Sequence, residues 1–191
     1  MKTTLKFSLS LVAALLVAAS CDSTPKIPPA SPAALAAWST MYAVLQNPRC
    51  TNCHPSDGIP KQGDDRRPHA QNIQGGPDGN GRFALRCEAC HRPFNLQGAH
   101  LPPGAPNWHM PTSKLQLAFE GRSAAQLCRQ LKDLERNGGL TPEQIYEHMS
   151  NAPLVLWAWS PGEGRTPVPI SHDEFLKAVR AWIDGGCGCP E

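Results

Sequence analysis

The chain lacks an excess of charge of either sign. It has 18 Lys and Arg residues and 16 Asp and Glu residues. Two of the basic residues, Lys2 and Lys6, lie within the first 20 positions, so residues 21–191 carry 16 basic and 16 acidic side chains. A neutral chain without a basic run has no electrostatic footprint for nucleic acid, and we expect no nucleic-acid partner.

The sequence also lacks an apolar run suited to a membrane-spanning helix. The run at residues 9–19 is shorter than the about 20 residues that a span needs. It follows Lys2 and Lys6 and precedes Ser20, a pattern typical of an export signal over residues 1–20. Residues 17–21 (VAASC) resemble the cleavage box of bacterial lipoproteins, although Ala18 stands where leucine is usual. The resemblance implies a lipid on Cys21, a tether at residues 21–31 and a location on the periplasmic side of a bacterial membrane; plain secretion is the alternative.

Long periodic segments are missing between residues 55 and 82 and again between 93 and 111. Proline is frequent, with 20 residues, and these stretches predict extensive irregular loops. Helix starts are predicted at Ser31, where Pro32 follows, and at three capping boxes beginning with Ser123, Thr141 and Ser171. The fold class is therefore mainly α, with a loop-rich region at residues 32–111 and a helical region at residues 112–191 that packs on it.

Two of the predicted helices have an apolar face, and a third segment is apolar throughout. The segment at residues 154–159 (LVLWAW) is expected to be buried, as strand or helix. The last helix is expected to stop near Gly185 and Gly186. The residues predicted to share the two faces are Leu127, Leu131 and Leu134 on one helix, and Phe175, Val179, Trp182 and Ile183 on the other.

Cysteine is abundant, with eight residues. Four lie in two pentads, CTNCH at residues 50–54 and CEACH at residues 87–91, and Cys21 belongs to the cleavage box. The remainder, Cys128, Cys187 and Cys189, allows one disulfide bridge and one spare thiol.

The two pentads carry the chemistry of the chain. Cysteines three apart in a turn of helix present both sulfurs on one side, where they can form thioethers with the vinyl groups of a haem. The histidine that follows is then held under the iron as an axial ligand. Cys50, Cys53, Cys87 and Cys90 are the expected attachment residues, and His54 and His91 the expected proximal ligands. The alternatives are a four-cysteine zinc ribbon or a dithiol redox site, neither of which uses the histidines.

The pentads resemble those of a dihaem c-type cytochrome, which implies two covalently bound haem c groups held by residues 32–111. Residues 101–109 (LPPGAPNWH) and 127–133 (LCRQLKD) are similar to exported bacterial cytochrome-like proteins labelled as an isoquinoline oxidoreductase subunit. That label implies electron acceptance from a molybdenum hydroxylase, although no residue here is recognisable as a molybdenum ligand. The resemblance also implies a Cys128–Cys189 disulfide.

The ligand on the opposite face of each iron is less defined. The loop between the pentads contains one histidine, His69, and no methionine, so His69 is expected for the first haem if that haem takes a ligand from its own loop. His100, His109 and Met110 are the choices for the second haem, with His109 favoured. The remaining histidines and methionines are expected to be core or surface residues: Met41, His148, Met149 and His172.

The expected function is electron transfer to or from a partner oxidoreductase or another cytochrome, because haem supplies one-electron chemistry and the protein sets ligands and access. One alternative is a dihaem enzyme such as a peroxidase with an open iron position. Another is a binding or structural protein in which haem has no redox role.

Overall fold

The computed structural model describes residues 30–191; the predicted export signal, Cys21 and most of the predicted tether lie outside the described residues. Within residues 30–191 the chain is mainly helical, as predicted, and no helix there is long and apolar enough to cross a membrane. The helices are α1 (Pro32–Leu45), α2 (Pro48–Thr51), α3 (Ala124–Lys132), α4 (Pro142–Asn151), α5 (Pro153–Leu156) and α6 (His172–Asp184). The strands are β1 (Lys61–Gln62), β2 (Arg67–Pro68), β3 (Gly81–Arg82) and β4 (Leu85–Arg86).

The predicted helix starts are confirmed. The Ser31 side chain accepts a hydrogen bond from the backbone N–H of Ala34 at the start of α1. Complete capping boxes begin α3, α4 and α6. The prediction for the far end of α3 is wrong, because the helix stops at Lys132 and Leu134 lies beyond it with 53% of its surface exposed.

The hydrophobic core forms where α1 packs against α6. Trp38 and Trp182 are fully buried, and their ring centroids lie 5.5 Å apart. Leu127 and Leu131 of α3 complete this core together with Phe175 and other residues of α6. Since α1 comes from the loop-rich region and α3 and α6 from the helical region, one core crosses the expected division at residue 112.

The C-terminal tail is fastened to this core. The disulfide between Cys128 and Cys189, implied by the resemblance, is confirmed, with Cα atoms 5.6 Å apart. The indole N–H of Trp182 donates to the carbonyl of Gly188. Cys187 remains a buried free thiol, and burial raises its pKa.

The apolar segment at residues 154–159 is helical rather than extended. It comprises α5 and a following 3-10 turn, Trp157–Trp159. The expectation of burial holds for Ala158, whereas Leu156 is 39% exposed.

The irregular loops are organised by two small antiparallel hairpins. β1 pairs with β2 shortly after the first pentad, and β3 pairs with β4 immediately before the second. The first hairpin ends beside His69, whose backbone N–H donates to the carbonyl of Pro60. The second hairpin ends at Arg86, immediately before Cys87. Each pentad therefore has a hairpin on one flank.

Candidate cofactor sites at the two pentads

The two pentads adopt the same backbone turn although their surrounding sequences differ. In the first, the N–H groups of Cys53 and His54 both donate to the carbonyl of Cys50, at 3.2 and 3.1 Å. In the second, Cys90 and His91 donate in the same way to Cys87, at 3.2 and 2.9 Å. The turn is helical, as the spacing predicts. Each histidine therefore lies at the C-terminal end of the turn that carries the two cysteines.

The imidazole of His54 is fixed on two sides. Its Nδ1 lies 2.7 Å from the carbonyl oxygen of Leu117, and its ring stacks on Phe119 with centroids 3.9 Å apart and planes 4° from parallel. The backbone N–H groups of Phe119 and Glu120 donate to the carbonyl of His54, which locks this segment onto the pentad. A carbonyl only accepts, so Nδ1 carries the hydrogen and Nε2 keeps its lone pair.

The imidazole of His91 is held in the same manner by different residues. Its Nδ1 lies 2.7 Å from the carbonyl oxygen of Pro103, and its ring stacks on Trp108 with centroids 4.4 Å apart and planes 5° from parallel. The approach of Pro103 depends on Gly104, because a Cβ there would lie 2.3 Å from the carbonyl oxygen of Arg92. Both pentad histidines therefore leave Nε2 available to a metal.

Both rings are neutral at ordinary pH. The pKa of His54 is lowered to about 4, mainly by burial. The Leu117 carbonyl opposes this shift, and His148 and His109 contribute to it. Burial likewise lowers the pKa of His91 to about 4, with a contribution from His69. A neutral imidazole is the form that coordinates a metal.

A cavity of about 530 Å³ adjoins the first pentad. This volume lies within the range of about 300–1,000 Å³ for ligand and cofactor pockets. Its walls are mainly apolar and include Cys50, Cys53 and His54, with Trp108 and His109 on the same cavity. A flat, largely apolar group attached through the two sulfurs would fit these walls.

Arg49 supplies a positive charge at this cavity. Only 1% of its side-chain surface is exposed, one guanidinium nitrogen bonds Asp64, and its Nε has no hydrogen-bond partner among residues 30–191. An unpartnered buried donor is costly unless something satisfies it. The negatively charged carboxylates of a haem are one group with the required chemistry.

The second pentad lies at the surface. Cys90 is exposed, and five of the seven exposed large apolar side chains within residues 30–191 occur close to it in sequence. They are Phe83, Leu85, Phe94, Leu96 and Leu101. Such a concentration of exposed apolar groups is expected where an apolar group would cover the chain.

The two pentads adjoin each other. The pKa of the Cys53 thiol is raised to about 11, mainly by burial and in part by the Cys87 thiol. Burial raises the pKa of Cys50 to about 12, with Cys53 contributing.

The predicted ligand candidates are distributed differently from the sequence-based expectation. His69, expected at the first pentad, has its ring centroid 6.0 Å from that of His91 in the second. His109, favoured for the second, lines the cavity of the first together with Met110. His100 lies against Gly164 in the C-terminal region, and its backbone N–H donates to the carbonyl of Glu163.

Sequence reasoning missed several residues that shape the first site. His148 and Met149 of α4, expected in the core or at the surface, line the cavity, although Met149 also belongs to the core. Phe119 and the carbonyl of Leu117 were not singled out. The sequence offers no signal for them, because every residue has a backbone carbonyl and Phe119 lies 65 residues from His54.

The arrangement expected for a zinc ribbon is not assembled in the part of the chain that the structure describes. There, no three His, Cys, Asp or Glu side chains converge to hold a metal ion. A haem iron takes only one or two protein ligands, so paired imidazoles suffice for it.

Comparison of the chain with protein-family models, curated proteins and solved structures gives no match. The functional assignment therefore depends on the pentads and on the geometry around them.

Proposed function

We propose that this chain is an exported electron-transfer protein that carries two covalently attached c-type haems. The observation that carries the proposal is the shared construction of the two pentads. Each has two cysteines in one helical turn, followed by a histidine held by a backbone carbonyl and a stacked aromatic ring. Such outer contacts are typical of metal-bound histidines, because they fix the ring and its tautomer.

The chain's own residues have distinct roles in this proposal. Cys50 and Cys53 would hold one haem through thioethers, and Cys87 and Cys90 the other. When bound, haem supplies one-electron chemistry. Arg49 would neutralise a carboxylate of the first haem, since its buried guanidinium faces the cavity wall with an unpartnered nitrogen.

The spatial relationship of the sites supports electron transfer rather than separate binding roles. Trp108 stacks on His91 and also lines the cavity that contains His54. The Cys87 thiol is close enough to Cys53 to contribute to the pKa of Cys53. Two redox groups attached at the two pentads would therefore share Trp108 as a neighbour, which suits the passage of single electrons through the protein.

The proposed setting is the periplasmic side of a bacterial membrane, with a lipid on Cys21. The partner would be an oxidoreductase or another cytochrome, and the resemblance to an isoquinoline oxidoreductase subunit favours a molybdenum hydroxylase among them. A lipid anchor and a residue 21–31 tether would keep the carrier close to membrane-associated partners.

A haem count tests the proposal. The mature chain is produced with c-type maturation, and covalent haem is measured by the pyridine haemochrome spectrum. We expect two haems per chain, one in the Cys50→Ala/Cys53→Ala variant and two in the matched control Cys187→Ala, which removes a cysteine outside the pentads. Colourless protein, or pigment that acidified organic solvent extracts, would overturn the proposal.

A further inference from the structure

Four of the seven histidines share one hydrogen-bonding pattern. In each, Nδ1 lies within hydrogen-bond distance of a backbone carbonyl, which leaves Nε2 with a free lone pair. The four are His54 with Leu117, His91 with Pro103, His69 with Ala70 and His109 with Asn107.

The other three histidines differ. His172 uses its Nε2 on the carbonyl of Met149. The rings of His100 and His148 make no hydrogen bond within residues 30–191. The pattern typical of metal-bound histidines thus selects four rings, two at each pentad.

At the second pentad the selected pair is His91 and His69. Their ring centroids lie 6.0 Å apart, with planes at 62°. Two imidazoles bound on opposite sides of one metal, each through a nitrogen about 2 Å from it, have ring centroids about 6 Å apart. The centroid separation of His69 and His91 therefore fits two rings that bind a single iron between them.

At the first pentad the selected pair is His54 and His109, which line the same cavity. Met110 also lines it, but its sulfur is turned towards the 75–79 loop, where a Cβ on Gly75 would lie 3.1 Å from the sulfur. Its backbone N–H donates to Gly79, so Met110 fastens that loop. His148 is the remaining competitor, and no carbonyl orients its ring.

We propose that the loop after each pentad supplies the second iron ligand to the haem of the other pentad. His109, which follows the second pentad, binds the iron held by His54, and His69, which follows the first pentad, binds the iron held by His91. This inference rests on the proposed function. It implies nitrogen on both faces of both irons, and hence no open coordination position of the kind that a peroxidase needs.

Two single-haem proteins test the exchange. One carries Cys87→Ala and Cys90→Ala and retains the first haem; the other carries Cys50→Ala and Cys53→Ala and retains the second. Into each we introduce His69→Ala, His109→Ala, His148→Ala or the control His100→Ala. Visible and electron spin resonance spectra then report the spin state of the one remaining iron.

We expect each of the two substitutions, His69→Ala and His109→Ala, to change the spin state of the iron in only one of the two single-haem proteins. In the first-haem protein His109→Ala abolishes the low-spin signal, and His69→Ala leaves it unchanged. In the second-haem protein the two variants have the opposite effects. Added imidazole restores the low-spin signal in each affected variant, which separates loss of a ligand from loss of the fold.

The reverse pattern, with His69 required by the first haem, would overturn the exchange, and so would a requirement for His148 or retention of low spin in every variant. If the single-haem proteins do not mature, the hyperfine-shifted proton spectrum of the dihaem protein gives the same answer, because ring protons of Phe119 and Trp108 mark the two sites. Absence of covalent haem in the unaltered chain would instead reject the proposed function.

Discussion

The indole of Trp108 lies flat on the imidazole of His91, with ring centroids 4.4 Å apart and planes 5° from parallel. The next residue, His109, lines the cavity of the other pentad. Trp108 and His109, although consecutive in the chain, thus lie at different sites. This loop is itself held by the hydrogen bond from the Met110 N–H to the Gly79 carbonyl, so its position is fixed by residues that lie between the pentads.

Replacing Trp108 by alanine is expected to free the His91 ring. Stacked aromatic pairs contribute about 0.5–1.5 kcal/mol beyond burial, so we expect a loss of stability of about 1–2 kcal/mol and a spin-resonance signal that broadens more for the second haem than for the first. Trp108→Phe should restore most of the signal, since it keeps a flat ring. Thermal unfolding and spin-resonance spectra provide the measurements, and equal broadening of both haem signals would contradict the assigned role.

Arg49 is expected to matter more for cofactor binding than its single ion pair suggests. In the Arg49→Met variant we expect lower occupancy of the first haem, because the buried positive charge at the cavity is lost, while Arg49→Lys should retain part of it. Arg180, whose pair with Glu143 is exposed, provides the control. Arg180→Met should have little effect on stability, because exposed ion pairs contribute little, and should leave the haem count unchanged. Full first-haem occupancy in Arg49→Met would exclude the proposed carboxylate contact.

Asp64 links the first pentad to the C-terminal region and should give a pH-dependent contribution to stability. Hydrogen bonds from Thr166, and then the charge of Arg49, hold the pKa of Asp64 below its ordinary value of 3.8. A carboxyl with a lowered folded pKa stabilises the fold above its unfolded pKa and loses that effect as the pH falls through the folded pKa. Asp64→Asn should therefore cost about 1 kcal/mol at pH 7 and progressively less below pH 3.8 in urea unfolding. A cost that does not vary with pH would show that the carboxylate charge is unimportant.

The starts of four helices, α1, α3, α4 and α6, could be predicted because each depends on residues within one turn, whereas the starts of the short helices α2 and α5 were not predicted. Ser31, Ser123, Thr141 and Ser171 cap helices through local hydrogen bonds, and all four positions were correct. The end of α3 has no comparable signal, so Leu134 was wrongly placed on it.

The cysteine and histidine arrangement within each pentad was also accessible from the sequence, because five adjacent residues set it. The partners of His54 and His91 were not. They arrive from loops without periodicity, and the order of histidines along the chain suggested that each loop would serve its own pentad. The structure instead places His69 beside His91, and His109 on the cavity that contains His54. Non-local contacts such as the hydrogen bond from the Met110 N–H to the Gly79 carbonyl hold these loops in place, and the sequence carries no signal for them.

Counting free thiols provides a test that is independent of colour. Within residues 30–191 five cysteines are unpaired in the bare chain, four of them in the pentads, and Cys187 is the fifth. Haem attachment would consume the four pentad thiols, so the denatured, unreduced holoprotein should expose one thiol from this part of the chain. Reduction should add the two from Cys128 and Cys189. It should also lower the free energy of unfolding by about 2–4 kcal/mol. Five reactive thiols before reduction would mean that the pentads are unmodified.

The most direct test of the central claim is the mass of the intact mature chain, made with c-type maturation and measured after denaturation. We expect a mass greater than that of the bare chain by two haem groups, with one haem on the peptide containing Cys50 and Cys53 and one on the peptide containing Cys87 and Cys90. A mass equal to that of the unmodified polypeptide would contradict the account.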